Sequence, residues 1–286
     1  MQTATKTMIE VDNLTKRYGQ VQAVNGISFT VLAGEIFGFL GHNGAGKTTT
    51  VRILTGRTRP SSGTAIVAGC NVETELAKLK PKINLVFEDP NLYERFSGRE
   101  NLAIFASLYG VSGSRVDELL DMVQLRDSAD RKVKTYSTGM KQRLLIARSL
   151  VNNPEVLFLD EPTRGLDPSS AREIRSILST LSKGGTTVFL TTHYMEEADE
   201  LCDRVAFLSN GQIVAMGTPR ELKLRFGHRT ANVLLKNDEE VTIDMDNPAD
   251  AARLQEWLAS GQVLTIHSQE GSLEDVFIEV AGRPLL

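Results

Sequence analysis

Residues 37–54, FGFLGHNGAGKTTTVRIL, set Gly41, Gly44, Gly46, a lysine and three threonines between two apolar runs. The run before has the look of a short buried strand, and KTTTVRILTG has helical spacing closed by Gly56. Gly41-His42-Asn43-Gly44-Ala45-Gly46-Lys47-Thr48 fits G-x-x-x-x-G-K-[ST] in the strand-then-helix setting that a phosphate loop needs. Gly44 and Gly46 allow the backbone to curl so that successive N–H groups point at phosphate oxygens. The positive end of the helix starting near Lys47 adds to this. Lys47 can then reach β- and γ-phosphates, and the Thr48 hydroxyl can join Mg²⁺. Thr49 completes the nucleotide-binding set.

Outward from this loop, MIEVDNL alternates apolar and polar residues, and VNGISFTVLAGEIFGFLG continues as strands around an Ala33-Gly34 turn. From about Glu100 to Leu125 the spacing is helical. Then come the helix TGMKQRLLIARSLVNN, the apolar run VLFLD, the helix SSAREIRSILSTLSKGG, the strand TTVFLTTH and the helix YMEEADELCDRV. Such alternation predicts a mostly parallel sheet covered on both faces. Beyond Gly217-Thr218-Pro219, a linking helix leads to strands ANVLLK and EEVTIDM. A helix capped by Asn247 with Pro248 at its first position, a strand QVLTIHS and a helix capped by Ser272 complete a small α+β unit. Leu273, Val276 and Phe277 form the apolar face of that last helix.

The 286 residues allow one large α/β domain with an appendage, and a net charge of −4 gives no reason to expect nucleic acid. Cys70 and Cys202 are far apart and form no CxxC, which argues against a disulfide scaffold or zinc site and fits a reducing cytosol. The N-terminus lacks the apolar core of a secretory signal, and nothing approaches the roughly 18 consecutive apolar residues of a membrane span.

Two later stretches carry chemistry. VLFLDEP ends a buried strand on Asp160 and Glu161. Downstream of a phosphate loop, Asp160 suits Mg²⁺ and Glu161 suits polarisation of the attacking water, although an acidic pair there could also cap the next helix. In YSTGMKQRLLIARSL, Ser137 stands as an N-cap and Gly139 clears the backbone before a basic helix. That helix start is a second anion site, or by itself a capped surface helix.

Taken together, residues 7 to 222 or so resemble the ATP-binding cassette (ABC) ATPases, with that family's motifs in that family's order. The resemblance puts the signature at Tyr136-Ser137-Thr138-Gly139-Met140, the D-loop at Gly165-Leu166-Asp167-Pro168, the switch histidine at His193 and the adenine-stacking aromatic at Tyr18. Thr138 and Met140 replace the family's commoner Gly and Gln. The Q-loop glutamine falls on Glu88, a carboxylate that can still ligate a hard cation. DPNLYERFSGRENL, YSTGMKQRL and the terminal SLEDVFIEVAGR resemble the ATPases of daunorubicin-resistance-type drug exporters.

The resemblance implies a P-loop NTPase with a mostly parallel α/β core sheet, an N-terminal antiparallel β subdomain and a helical subdomain at about 91–152. Residues 223–286 would be a small C-terminal accessory domain. It implies ATP hydrolysis with Mg²⁺, catalysed through Glu161 and His193, with Thr48, Asp160 and Glu88 at the metal. It also implies head-to-tail pairing with a second cassette, most simply a copy of this chain, whose Ser137, Thr138, Gly139 and Asp167 face the partner's ATP. The load would be a separate transmembrane permease, the alternative being a soluble ABC-type ATPase that acts as a mechanochemical switch without one. The expected location is cytoplasmic, peripheral at the inner face of the cell membrane.

Overall fold

The computed structural model describes residues 6–87, 91–227, 230–269 and 271–282. At the N-terminus, β1 (Thr7–Tyr18) and β2 (Val21–Leu32) form a long antiparallel hairpin, which β4 (Ser62–Val67) and β5 (Cys70–Asn71) extend in the order β2-β1-β4-β5. The period of two is plain in β1, where Ile9 and Val11 are buried while Glu10 and Asp12 face outward.

The central sheet has the order β10-β9-β3-β8-β7-β6. Strands β3 (Ile36–Leu40), β6 (Ile83–Val86), β7 (Val156–Asp160), β8 (Thr187–Thr192) and β9 (Arg204–Ser209) run parallel, and β10 (Gln212–Gly217) is antiparallel at one edge. Every residue of β3, β7 and β8 is buried, as a parallel sheet covered on both sides requires. Alternate side chains serve the two faces. Phe37, Phe39, Phe158 and Phe189 meet the N-terminal sheet in one core, with Phe158 and Phe39 each 5.5 Å from Phe189 between ring centroids. Leu157, Leu159, Val188 and Leu190 face a second core with the helices.

On that second side lie α6 (Pro168–Lys183), which buries Ile174, Ile177, Leu178 and Leu181, and α7 (Met195–Leu201). A helical layer of α3 (Gly98–Tyr109), α4 (Gly113–Met122) and α5 (Thr138–Ser149) packs beside them. The start of α3 is set by Ser97 and Glu100 in a reciprocal capping box. On the first side, α1 (Lys47–Leu54) follows β3, and a single turn, α2 (Leu76–Leu79), precedes β6.

Past α8 (Pro219–Phe226), β11 (Thr230–Leu235), β12 (Glu240–Asp244) and β13 (Val263–Gln269) form a sheet in the order β12-β11-β13. α9 (Pro248–Ala259), capped by the expected Asn247, lays Leu254 and Trp257 on Val233, Leu235 and Ile243 of that sheet. The last helix, α10 (Leu273–Ala281), has the expected Ser272 cap but packs elsewhere. Its apolar face of Leu273, Val276 and Phe277 enters the helix-side core of the large sheet, with the Phe277 ring 5.5 Å from Phe207 of β9. The three-stranded sheet with α9 has only a small core of its own, and α10 gains far more burial against α7, α8 and β10. Among the described residues no helix is long and apolar enough to cross a membrane.

Phe277 is fully buried, so Phe277→Ala should cost about 3–5 kcal/mol. The loss should appear in the main urea-unfolding transition of the large sheet, whereas Ile243→Ala should leave that transition in place. An unchanged main transition in Phe277→Ala would show that α10 docking contributes little to it.

Candidate functional site

Three parallel strands, β3, β8 and β7, end side by side. Leu40 pairs with Thr192 across β3 and β8, and Asp160 pairs with Thr191 across β7 and β8. The loops leaving these strand ends therefore meet, as expected at the carboxyl ends of a parallel sheet. The loop after β3 is the glycine loop, the one after β7 carries Glu161, and the one after β8 carries His193.

The glycine loop wraps before α1, which begins at Lys47 as its sequence predicts. Gly44 has φ +81° and Gly46 φ +113°, conformations that side chains oppose. At Gly46 a Cβ would also run into the carbonyl oxygen of Ala23 on β2. The turn between β9 and β10 supports the loop from another side, with Gly211 N–H donating to the Ala45 carbonyl at 3.0 Å. Two segments remote in sequence thus hold the loop's shape.

Lys47 is buried. Its ammonium donates to the Gly41 carbonyl at 2.5 Å and lies 3.6 Å from Glu161 Oε1. Glu161 adopts φ +52°, an uncommon conformation for a residue with a side chain, and its N–H donates to the Thr191 carbonyl at 3.0 Å. Its other oxygen, Oε2, is 2.8 Å from His193 Nδ1. The Thr48 hydroxyl donates to Asp160 Oδ2 at 3.3 Å, and the Thr191 hydroxyl donates to Asp160 Oδ1. Thr48 and Asp160 thus present neighbouring hard oxygens, a donor pair suited to Mg²⁺, which is typically held by one or two protein oxygens together with phosphates and water.

Lys47, Thr48, Asp160 and Glu161 line a cleft of about 450 Å³ with His42, Asn43, Gly44, Gly46 and Thr49, whereas His193 is not part of its lining. Ala45 turns inward and is buried. Tyr18 ends β1 opposite Val21, which lines the cleft, but its own exposed ring is not part of the lining and lies under the Lys16 ammonium at 4.9 Å. Glu88 lies outside the described residues.

The predicted signature and D-loop residues are gathered in a different place. Ser137 caps α5, its hydroxyl accepting from Met140 N–H at 3.2 Å. Asp167 caps α6, accepting from the N–H groups of Ser169 and Ser170 and from the Ser170 hydroxyl at 2.7 Å. The Ser170 bonds hold the Asp167 carboxyl below the usual carboxylate range. A Cβ on Gly139 would collide with the Ser170 side chain, so the two helix starts are fitted to each other. None of Ser137, Thr138, Gly139 or Asp167 lines the phosphate cleft of its own chain.

Several cleft residues have no local motif to announce them. Asn210, Gly211, Gln22 and Ala23 arrive through chain crossings, while Arg164 follows Glu161 in the same loop. Thr191 carried a weak signal, as one of three threonines in a fully buried strand. Glu197 on α7 is a buried carboxyl within an acidic run.

A phosphate loop, an acid pair at the end of the next-but-one strand and a histidine in the loop leaving the strand between define an ATP-hydrolysing P-loop protein. The ABC transporter family model matches residues 24–164. The chain is 47% identical to a fluoroquinolones export ATP-binding protein of Mycobacterium tuberculosis, covering 97% of this chain and 94% of that protein. It is 38% identical to the daunorubicin/doxorubicin resistance ATP-binding protein DrrA of Streptomyces peucetius, covering 99% and 95%. A solved dimeric, post-hydrolysis state of the ATP-binding cassette MJ0796, bound to ADP and Pi, matches with TM-score 0.66 at 28% identity, covering 74% of this chain and 98% of that one. The chain belongs to the ATP-binding proteins of ABC transporters, a family of ATPases.

The contact between Gly46 and Ala23 gives a direct check of the loop. Gly46→Ala should abolish nucleotide binding in a calorimetric titration, because the Cβ meets backbone that cannot swing aside. Tight ATP binding by this variant would mean that the loop tolerates another shape.

Proposed function

We infer that the chain is the ATP-hydrolysing subunit of a bacterial exporter of a drug, antibiotic or other amphiphilic molecule, working beneath a separate membrane permease. The observation that carries the catalytic part is the meeting of Lys47 and Glu161 in one cleft, with His193, outside the cleft lining, bonded to the other oxygen of Glu161. Lys47 and the loop N–H groups hold the phosphates, with Gly41, His42, Asn43, Gly44, Ala45, Gly46, Thr48 and Thr49 as the nucleotide site and Tyr18 against the base. Mg²⁺, held by Thr48 and Asp160, would neutralise charge on the phosphate oxygens. Glu161 polarises the attacking water, and His193 orients Glu161 through their 2.8 Å bond. The same bond lets movement of the His193 loop reach the water site.

Ser137, Thr138, Gly139 and Asp167 serve the partner's ATP in a head-to-tail dimer. Their exclusion from the chain's own cleft supports this, as does the dimeric state of the MJ0796 cassette. Names of the relatives support export. For the permease contact we take the α3 surface, where Phe96 and Leu108 are exposed around a shallow depression also lined by Ala103 and Ile104. That contact would hold the protein peripherally at the inner face of the membrane. We treat residues 7–222 as the cassette, 91–152 as its helical subdomain and 223–286 as an accessory segment tethered back through α10.

Glu161→Gln should lower ATP turnover by about 10²–10⁴-fold while leaving ATP binding intact. Undiminished turnover would remove Glu161 from the catalytic role. Cell fractionation with and without a candidate permease checks the transport reading. The chain should enter the membrane fraction only when the permease is present, and failure to do so would leave the ATPase without a permease.

A further inference from the structure

The strand β8 reads TVFLTT, and its threonines, Thr187, Thr191 and Thr192, are all fully buried. A buried hydroxyl needs a partner, and each of these has one. The Thr187 oxygen accepts from Gly34 N–H at 3.0 Å, and the Thr192 oxygen accepts from Tyr194 N–H at 3.0 Å, so both hold backbone at the strand's ends. Thr191 instead donates to a carboxylate, at Asp160 Oδ1. Parallel register creates that contact. Phe158 lies opposite Phe189 and Asp160 opposite Thr191, so the polar pair sits two residues further along the same face, where the aromatic core gives way to the phosphate cleft. The Thr191 carbonyl also accepts from Glu161 N–H at 3.0 Å. One residue thus holds both acids, Asp160 by its side chain and Glu161 by its backbone.

We propose that Thr191 is a positioning residue for the metal site, its hydroxyl anchoring Asp160 Oδ1 so that Oδ2 stays turned toward Thr48 and the cleft. Asp160 is itself buried, and its Oδ2 lies 3.3 Å from the Thr48 hydroxyl. An aspartate carboxyl turns about one soft torsion, so fixing one oxygen sets the direction of the other. Groups that orient a ligand carboxylate in this way typically matter by about 10–100-fold in metal affinity. Packing gives no reason for a hydroxyl here. Valine has nearly the same shape and suits a buried strand at least as well. In Thr191→Val, however, Oδ1 would lose its donor while remaining enclosed. The backbone bond to Glu161 is kept in every variant, so Asp160 is the group that loses its orientation.

The role of Thr191 rests on the reading of Thr48 and Asp160 as the holders of Mg²⁺, and one experiment tells the two apart. Mn²⁺, a paramagnetic substitute for Mg²⁺, is titrated into the full chain held in excess over a non-hydrolysable ATP analogue, and the free ion is followed by electron paramagnetic resonance. Wild type, Thr191→Val, Thr191→Ser and Asp160→Asn are compared, with metal-free binding of the analogue as the control for an intact phosphate loop. Thr191→Val should hold Mn²⁺ about ten- to a hundredfold more weakly while its metal-free binding is unchanged. Thr191→Ser keeps the hydroxyl and loses only a methyl group, so its Mn²⁺ affinity should stay within about threefold of wild type. The Mg²⁺ concentration for half-maximal ATP turnover should rise in the valine variant and not in the serine variant. A packing role makes the reverse forecast, with valine equal to wild type and serine impaired. Wild-type Mn²⁺ affinity in Thr191→Val, or a loss of about tenfold or more in Thr191→Ser, would each overturn the proposal. The serine variant leaves no buried acceptor stripped, so it decides even if valine disturbs folding. Mn²⁺ held as tightly by Asp160→Asn as by wild type would instead overturn the metal reading beneath it.

Discussion

Lys47 places an ammonium in a buried pocket 3.6 Å from the Glu161 carboxylate, and much of the architecture serves to make that position tolerable. A buried cation needs both an opposite charge and acceptors in good geometry. The carbonyl of Gly41 supplies an acceptor from the loop, and Glu161 supplies the charge from a different strand. That meeting requires β3 and β7 to flank β8 in parallel, so that their ends lie level. It also requires a loop shape that Ala23 and Gly211 enforce from the N-terminal hairpin and the β9–β10 turn.

The two cores divide this work. Aromatic packing of Phe37, Phe39, Phe158 and Phe189 locks the sheet to the N-terminal hairpin and so fixes the floor of the phosphate loop. The aliphatic core on the other face carries α6 and α7, the helices that begin just after the loops leaving β7 and β8. A close-packed core passes small displacements on because it has no voids to absorb them. Movement of the Glu161 or His193 loop is thereby linked to the starts of α6 and α5, where Ser170 fits against Gly139. The cleft and the surface around Ser137 and Gly139 are connected through these helices.

The tail follows the same logic of burial. The sheet of β11, β12 and β13 with α9 has a core of three buried apolar residues, too small to hold a further apolar helix firmly. Leu273, Val276 and Phe277 find a deeper site against β9 and α7, so α10 is anchored to the large sheet's helix-side core.

Local chemistry made much of this legible in advance. Lys47 and Thr48 follow a glycine loop whose backbone demands are written in Gly44 and Gly46. The caps at Ser137, Asn247 and Ser272 form where side-chain oxygens precede helical spacing, because such caps are satisfied within one turn. Full burial of VLFLD and TVFLTT likewise follows from their apolar runs. Where α10 docks was not legible, since its apolar face is the same whichever core receives it. Nor were Ala23, Asn210 and Gly211 as neighbours of the site, because strand order and chain crossings alone bring them there. Residue type and short-range spacing determined which groups could bind phosphate and do acid–base chemistry. Tertiary structure decided which of them meet, because burial is shared among distant segments and no local pattern encodes the partner.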